Sequence, residues 1–263
     1  MNNLKRIMIF GLIVALPFLT GASDERDTKQ SKGAANISDK KTQTDQKEKQ
    51  TTTTTVVKTP MDRPLYKPPL RGAPSGRVGG GTRGITERES FSLQVLAPDH
   101  VGLTIQDQPR LYWYISKPVP YSIEFTIIER KAEKPLFEKI IKDLNTGGIQ
   151  VISLANYGVH LRKDVQYKWF VTIVTDTERR SKDILAGGII TRVNVPPSLS
   201  AKLQAAGSSA PNIYAEEGLW YDALEAISKM IDASPSNVEL RKQRLSLLEQ
   251  VGLTEVAAFE NSR

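Results

Sequence analysis

No cysteine occurs in the 263 residues. That absence excludes disulfides, cysteine-ligated zinc, iron–sulfur clusters and thiol nucleophiles. Histidine is nearly as scarce. His100 and His160 are the two in the chain, and they lie too far apart for a paired-histidine metal motif. No metal and no cofactor is therefore expected. The G-x-S-x-G, H-E-x-x-H and P-loop patterns are missing as well, so the chain reads as a non-enzyme. A hydrolase using a carboxylate or Ser/Lys site, which has no fixed motif, is the last of three functional readings.

What is present suffices for a folded protein. Hydrophobic residues make up 39% and charged residues 25%, ordinary values that allow a real core. The net charge is +7 and the pI about 9.4. A basic balance favours anionic partners, although the Lys and Arg are scattered enough to serve for solubility alone. Lys5 and Arg6 precede an apolar run, Ile7 to Thr20. The run fits the apolar region of a secretory signal peptide and falls short of the roughly 20 residues that span a bilayer. Pro17 interrupts it, and Gly21, Ala22 and Ser23 follow. Residues 1–23 are thus expected to be a signal peptide cleaved near Ala22 or Ser23, with a retained anchor as the other reading. The mature chain is expected in the periplasm or outside the cell, with no membrane span after cleavage.

Residues 24–59 are Lys, Gln, Asp, Thr and Ser with almost nothing apolar, ending near the Thr51–Thr55 run. Such a segment cannot bury enough surface to offset the entropy of ordering, so a disordered polar linker is expected. Residues 60–88 are rich in Pro, Gly and Arg. Gly79-Gly80-Gly81-Thr82-Arg83-Gly84 matches G-x-G-x-x-G. A dinucleotide site needs a strand before that motif and a helix after it. Here prolines precede it and a strand-like run, Phe91 to Leu96, follows. The stretch reads as a strap across the fold. Its backbone N–H groups with Arg71, Arg77 and Arg83 could instead cradle an anion.

Residues 89–195 alternate with period two between turn signals. Leu111, Trp113 and Ile115 share a face, as do Ile123, Phe125 and Ile127, and then Tyr167, Trp169, Val171 and Ile173. Leu136–Ile141 and Gly148–Leu154 read as two strands around an Asn145-to-Gly148 turn. Seven or eight strands in about a hundred residues predict an antiparallel sandwich. Leu161 followed by Tyr167-Lys168-Trp169 resembles the tyrosine corner of immunoglobulin and fibronectin type III domains, in which a Tyr hydroxyl bonds back to the backbone. Trp113 is placed in the core of that sandwich. The run Asp176 to Asp183 carries both signs and is expected to pair with itself.

Residues 196–263 switch to helical spacing after Pro196-Pro197. Helices are expected from Ser198 as N-cap to Ala206, from Pro211 to Glu217, from Leu219 to Asp232, then from a Ser236 or Asn237 cap to Gly252, and from Leu253 to Phe259. Gly218-Leu219-Trp220-Tyr221-Asp222-Ala223-Leu224 returns loosely from Gly252 onward. The offset is 34 residues, the tetratricopeptide period. Fewer than two repeats are present, so these tetratricopeptide-like hairpins are expected to pack on the sandwich. They would either bind a peptide in a groove, with Trp220 and Tyr221 as candidate contacts, or form a structural cap. The fold class is mainly β with C-terminal α.

Several blocks together resemble one family. They are Arg71-Gly72-x-Pro74, then Arg77-x-Gly79-Gly80-Gly81-Thr82-Arg83-Gly84, then Leu96-Ala97-Pro98 through Gly102-Leu103-Thr104. Tyr167-x-Trp169, Arg180-Ser181-x-Asp183 and Tyr214-Ala215-x-x-Gly218-Leu219-Trp220-Tyr221-Asp222-Ala223-Leu224 follow. From Pro68 to Ala258 the chain is similar to the bacterial domain of unknown function 928. Thr175 stands where the resemblance leads one to expect Cys, which argues against a redox role. The resemblance supplies architecture and no activity.

Two further functional readings stand beside the enzyme. The first is an exported structural or adaptor protein that contacts a protein partner in the envelope. The second is a binding module for an anionic envelope polysaccharide or lipid head group, using Arg71, Arg77 and Arg83. Nucleic acid is not an expected partner.

Overall fold

A computed structural model describes residues 63–69, 76–79, 81–82, 91–142 and 144–262, with backbone alone at 81–82. The expected leader and polar linker lie outside the described residues, as do Arg71 and Arg83. In chain order the strands are β1 (Val78–Gly79), β2 (Gly81–Thr82), β3 (Ser92–Val95), β4 (Gly102–Thr104), β5 (Arg110–Ile115), β6 (Ser122–Glu129), β7 (Phe137–Ile141), β8 (Gly148–Ser153), β9 (Gln166–Val174) and β10 (Ile184–Arg192). The helices are α1 (Pro197–Ala206), α2 (Ala210–Glu216), α3 (Trp220–Ala233), α4 (Val238–Gln250) and α5 (Thr254–Asn261).

The strands form two sheets. One runs β1-β10-β9-β6-β7, the other β2-β3-β5-β8. Their pairings are antiparallel except at β4, which lies parallel to β10 through Ile190↔Gly102 to Arg192↔Thr104. The first sheet is therefore mixed, a departure from the all-antiparallel expectation. Leu136–Ile141 and Gly148–Leu154 also do not form a hairpin with each other. β7 ends the first sheet and β8 ends the second, so the turn residues carry the chain from one sheet to the other.

Alternation decides which faces are buried. In β6, Ile123, Phe125 and Ile127 are fully buried while Glu124, Thr126 and Ile128 are partly exposed. That is the pattern of a sheet with one solvated face. β5 differs, because Leu111 to Ile115 are all buried. Leu111, Trp113 and Ile115 occupy one face and Tyr112 and Tyr114 the other. The second face is covered by helices. Tyr114 packs on Phe259 of α5 at 5.2 Å between ring centroids. Glu255 of α5 accepts from Ser92 Oγ (2.7 Å) and Gln94 Nε2 (2.6 Å) in β3. The second sheet is thus the middle of three layers.

The N-terminus of α3 is driven into the seam between the sheets. Trp220 is fully buried and donates from Nε1 to Leu96 O at 2.9 Å. Tyr221 donates to Ile189 O (3.0 Å) and accepts from Trp169 Nε1 (3.0 Å). Close approach there depends on glycine. A Cβ on Gly102 would lie 2.5 Å from the Tyr221 ring.

Other expectations resolve locally. The peptide N–H of Arg162 donates to Tyr167 Oη at 3.1 Å, tying that side chain to the backbone upstream. Arg180 pairs with Glu124 (2.6 Å) and Asp183 (2.6 Å), and Arg179 with Asp176 (3.1 Å), so the charged loop is neutralised from within the fold. Ser198 lies inside α1, whose N-cap is Pro196. Asn237 caps α4, accepting from Glu239 N (3.0 Å) and Leu240 N (3.4 Å). Among the described residues no helix is long and apolar enough to cross a membrane.

Candidate functional site: a polar cleft at the free edge of the middle sheet

β8 is an edge strand, and its helix-facing side bounds a cleft of about 340 Å³. Tyr112, Ile149 and Val151 form the floor; Ser228, Arg241 and Arg244 from α3 and α4 form the wall. Gln150, Ile231, Asp232 and Pro235 complete the lining. The size falls in the range of small ligand sites.

The base of the cleft is held rigidly. Arg244 is 7% exposed and grips both oxygens of Glu260, from Nε to Oε2 (3.0 Å) and from Nη2 to Oε1 (2.8 Å) and Oε2 (2.8 Å). It also donates from Nη1 to Ser228 Oγ at 3.2 Å. This buried, bidentate pair locks α4 to α5 and α3. A buried carboxylate of this kind is costly to strand. Arg241 is different. It is half-buried, donates to the Pro235 carbonyl, and has no carboxylate at ion-pair distance among the described residues.

Tyr112 is 4% exposed, and its hydroxyl is enclosed near Arg110 and Ser228 with no partner at hydrogen-bond distance among the described residues. Burial raises the phenol above its ordinary value; Glu225 adds to the rise, while Arg110 and Ser228 oppose it. The group stays protonated and able to donate at neutral pH. A buried polar group left without a partner costs about 1–3 kcal/mol.

The backbone of β8 carries groups with no partner strand among the described residues. In an antiparallel ladder alternate residues turn their N–H and C=O toward the partner strand. Leu96 N–H donates to Tyr112 O (2.9 Å), so Tyr112 faces the β3 side, and Leu154 N–H donates to Pro109 O (3.1 Å). This phase joins Leu111, Trp113 and Ile115 to Ile152, Gln150 and Gly148. The peptide groups of Ile149, Val151 and Ser153 point away from the sheet.

The residues singled out in the sequence are placed elsewhere. Arg77 is half-buried and donates from Nη1 to Ala97 O (3.1 Å) and Val251 O (3.2 Å). It fastens the strap to the junction of α4 and α5, and burial lowers its pKa while Asp99 opposes the fall. Trp220 and Tyr221 are enclosed, 0% and 1% exposed, and offer no surface for a peptide. The strap itself crosses the sheets. Val78–Gly79 pairs with β10 and Gly81–Thr82 with β3. Gly79 has φ +70, and a Cβ there would meet Leu185 O at 1.9 Å.

Two buried groups outside the cleft were not anticipated. Asp222 is 3% exposed; Oδ2 accepts from Ile105 N at 3.1 Å while Oδ1 has no partner. Burial pushes its carboxyl up to about 7, against the backbone bond from Ile105 and the side chain of Thr104. Tyr66 binds His100 Nε2 at 2.8 Å and packs edge-on against Trp220. Gln250 holds the same segment, accepting from Tyr66 N (2.8 Å) and donating to Pro64 O (2.9 Å). Residues around Tyr66 are a clasp on the helices. Among the described residues no group of His, Asp and Glu is placed to hold a metal ion.

A model of the family described as Domain of Unknown Function (DUF928) matches residues 78–260, and the chain belongs to that family. That description assigns no activity. Comparison with curated proteins gives no match.

Proposed function

We propose, from membership of a family with no assigned chemistry, that this is an exported envelope protein that works by contacting another protein. The supporting observation is the β8 edge, which has no partner strand among the described residues and whose outward peptide groups border a cleft. Unpaired edges are templates for another chain. In this reading the two sheets are an immunoglobulin- or fibronectin-like sandwich, supported by the Arg162–Tyr167 bond. The α3–α5 helices are tetratricopeptide-like, supported by the 34-residue echo. Catalysis plays no part in the reading.

Export predicts a mature N-terminus at Ser23 or Asp24, read by N-terminal sequencing of the protein from its producing cell. Retention of Met1 on the cell-associated protein would count against cleavage. The adaptor role is tested by affinity capture from envelope extract with the mature chain at low and moderate salt. A defined protein that survives moderate salt supports it. Recovery only of anionic polymer or lipid, abolished by salt, would replace it with the strap-based anion reading, since surface electrostatics are screened within a Debye length. Arg77 weighs against that alternative, because its guanidinium already serves two carbonyls.

A further inference from the structure

We infer that the β8 cleft takes one kind of occupant: an extended polypeptide segment that adds as a strand to β8 and places an acidic side chain beside Arg241. The inference rests on the protein-contact reading above and names the partner chemistry for it. Three independent features converge. The first is the row of outward N–H and C=O groups at Ile149 and Val151, continued by the N–H of Ser153, whose carbonyl opens the turn at Leu154–Tyr157. An added strand satisfies such groups at one stroke, and alternate side chains then supply specificity.

The second is register. Val151 lies opposite Tyr112, and Ile149 opposite Tyr114, on the helix-facing side of the sheet. Side chains of an added strand that project on that side would enter the cleft beside Val151, which is 51% exposed. A cavity of about 340 Å³ admits one or two of them.

The third is charge. Glu260 neutralises Arg244, so Arg241 is the cation in the lining without a carboxylate partner among the described residues. Asp232 also lines the cleft, exposed on the last turn of α3 and outside ion-pair distance of Arg241. The Tyr112 hydroxyl is enclosed beneath the floor, beside Ser228 and Arg110, and is not exposed to the cleft. A carboxylate beside Arg241 completes that guanidinium in a charge-assisted bond stronger than a neutral one. A basic side chain would face Arg241 with like charge.

The test uses the full mature chain against a displayed library of linear peptides about as long as a β-strand, selected at moderate salt. Enrichment of peptides with an acid at one fixed position, flanked by β-branched alternation, is expected. Replacing that acid by its amide should weaken the selected peptide about tenfold, and Arg241→Ala by a similar factor. Methylating the peptide's alternate backbone nitrogens should abolish binding without touching the protein. Val151→Pro should do the same, as an edge position whose N–H faces outward tolerates proline; its melting curve checks folding. No enrichment, enrichment without an acid, or indifference to backbone methylation overturns the inference. So does a concentration-dependent dimer, abolished by Val151→Pro, that blocks peptide binding, since a second copy would then be the occupant. The adaptor reading fails separately, when envelope capture yields no salt-resistant protein even though the library peptides bind.

Discussion

Asp222 shows how one buried carboxyl shapes the whole stability curve. Burial pushes its carboxyl up to about 7 in the folded chain, from an ordinary value of 3.8. Between those values the folded state holds a proton that the unfolded state has released. The slope of unfolding free energy with pH is then negative, so stability falls as pH rises from about 4 to about 7 and levels off above. The full effect is at most about 4 kcal/mol. Asn keeps the acceptor for Ile105 N–H and carries no charge. Urea unfolding across that pH window should show the slope in the natural chain and a flatter profile in Asp222→Asn. Tyr221 makes a second residue-scale case. Tyr221→Phe leaves Trp169 Nε1 and Ile189 O buried with no hydroxyl between them. A loss of about 1–3 kcal/mol is expected from denaturant midpoints. An unchanged midpoint would mean that the seam rearranges around the lost hydroxyl.

Among the elements, the strap gives the sharpest expectation. Arg77 joins it to the loop at Ala97 and to the end of α4 at Val251. Arg77→Ala frees both carbonyls and should raise amide exchange at Val78, Gly79 and Gly252, with about 1–3 kcal/mol lost overall. Exchange confined to Val78 and Gly79 would show that the helical end of the staple carries no weight. The strand faces were legible in the sequence because alternation is a local signal, and Trp113, Phe125 and Trp169 lie where it put them. Partners were not. Asn145 to Gly148 has the same turn chemistry whether it closes a hairpin or carries the chain between sheets, and Gly102-Leu103-Thr104 is too short to announce a parallel pairing. The unbroken Leu-Tyr-Trp-Tyr-Ile of β5 did carry a signal, since a strand buried on both faces loses its polar alternation. That run points to a middle layer. The cleft was invisible for a related reason: Arg241 and Arg244 look like solvated helix charges until Glu260 and β8 are brought beside them by the fold.

Taken whole, the described residues share one hydrophobic cluster. It runs from Leu93 and Trp113 through Trp169 to Trp220, Leu247 and Val256. Sheets and helices are therefore not separable parts, whatever the change of spacing at Pro196 suggests along the chain. Removing the helices would uncover Tyr112 and Tyr114, empty the seam of Trp220 and Tyr221, and strand Trp169 Nε1. A chain ending before Pro197 is expected to lose cooperative unfolding altogether, because each large core vacancy alone costs about 3–5 kcal/mol and a whole domain holds about 5–15 kcal/mol. Calorimetry and near-ultraviolet circular dichroism read this directly. A sharp transition with ordered aromatic signals in the truncated chain would show that the two sheets close without the third layer. The absence of any transition would mean that a partner meeting β8 meets a surface that exists only because the helices have already folded against it.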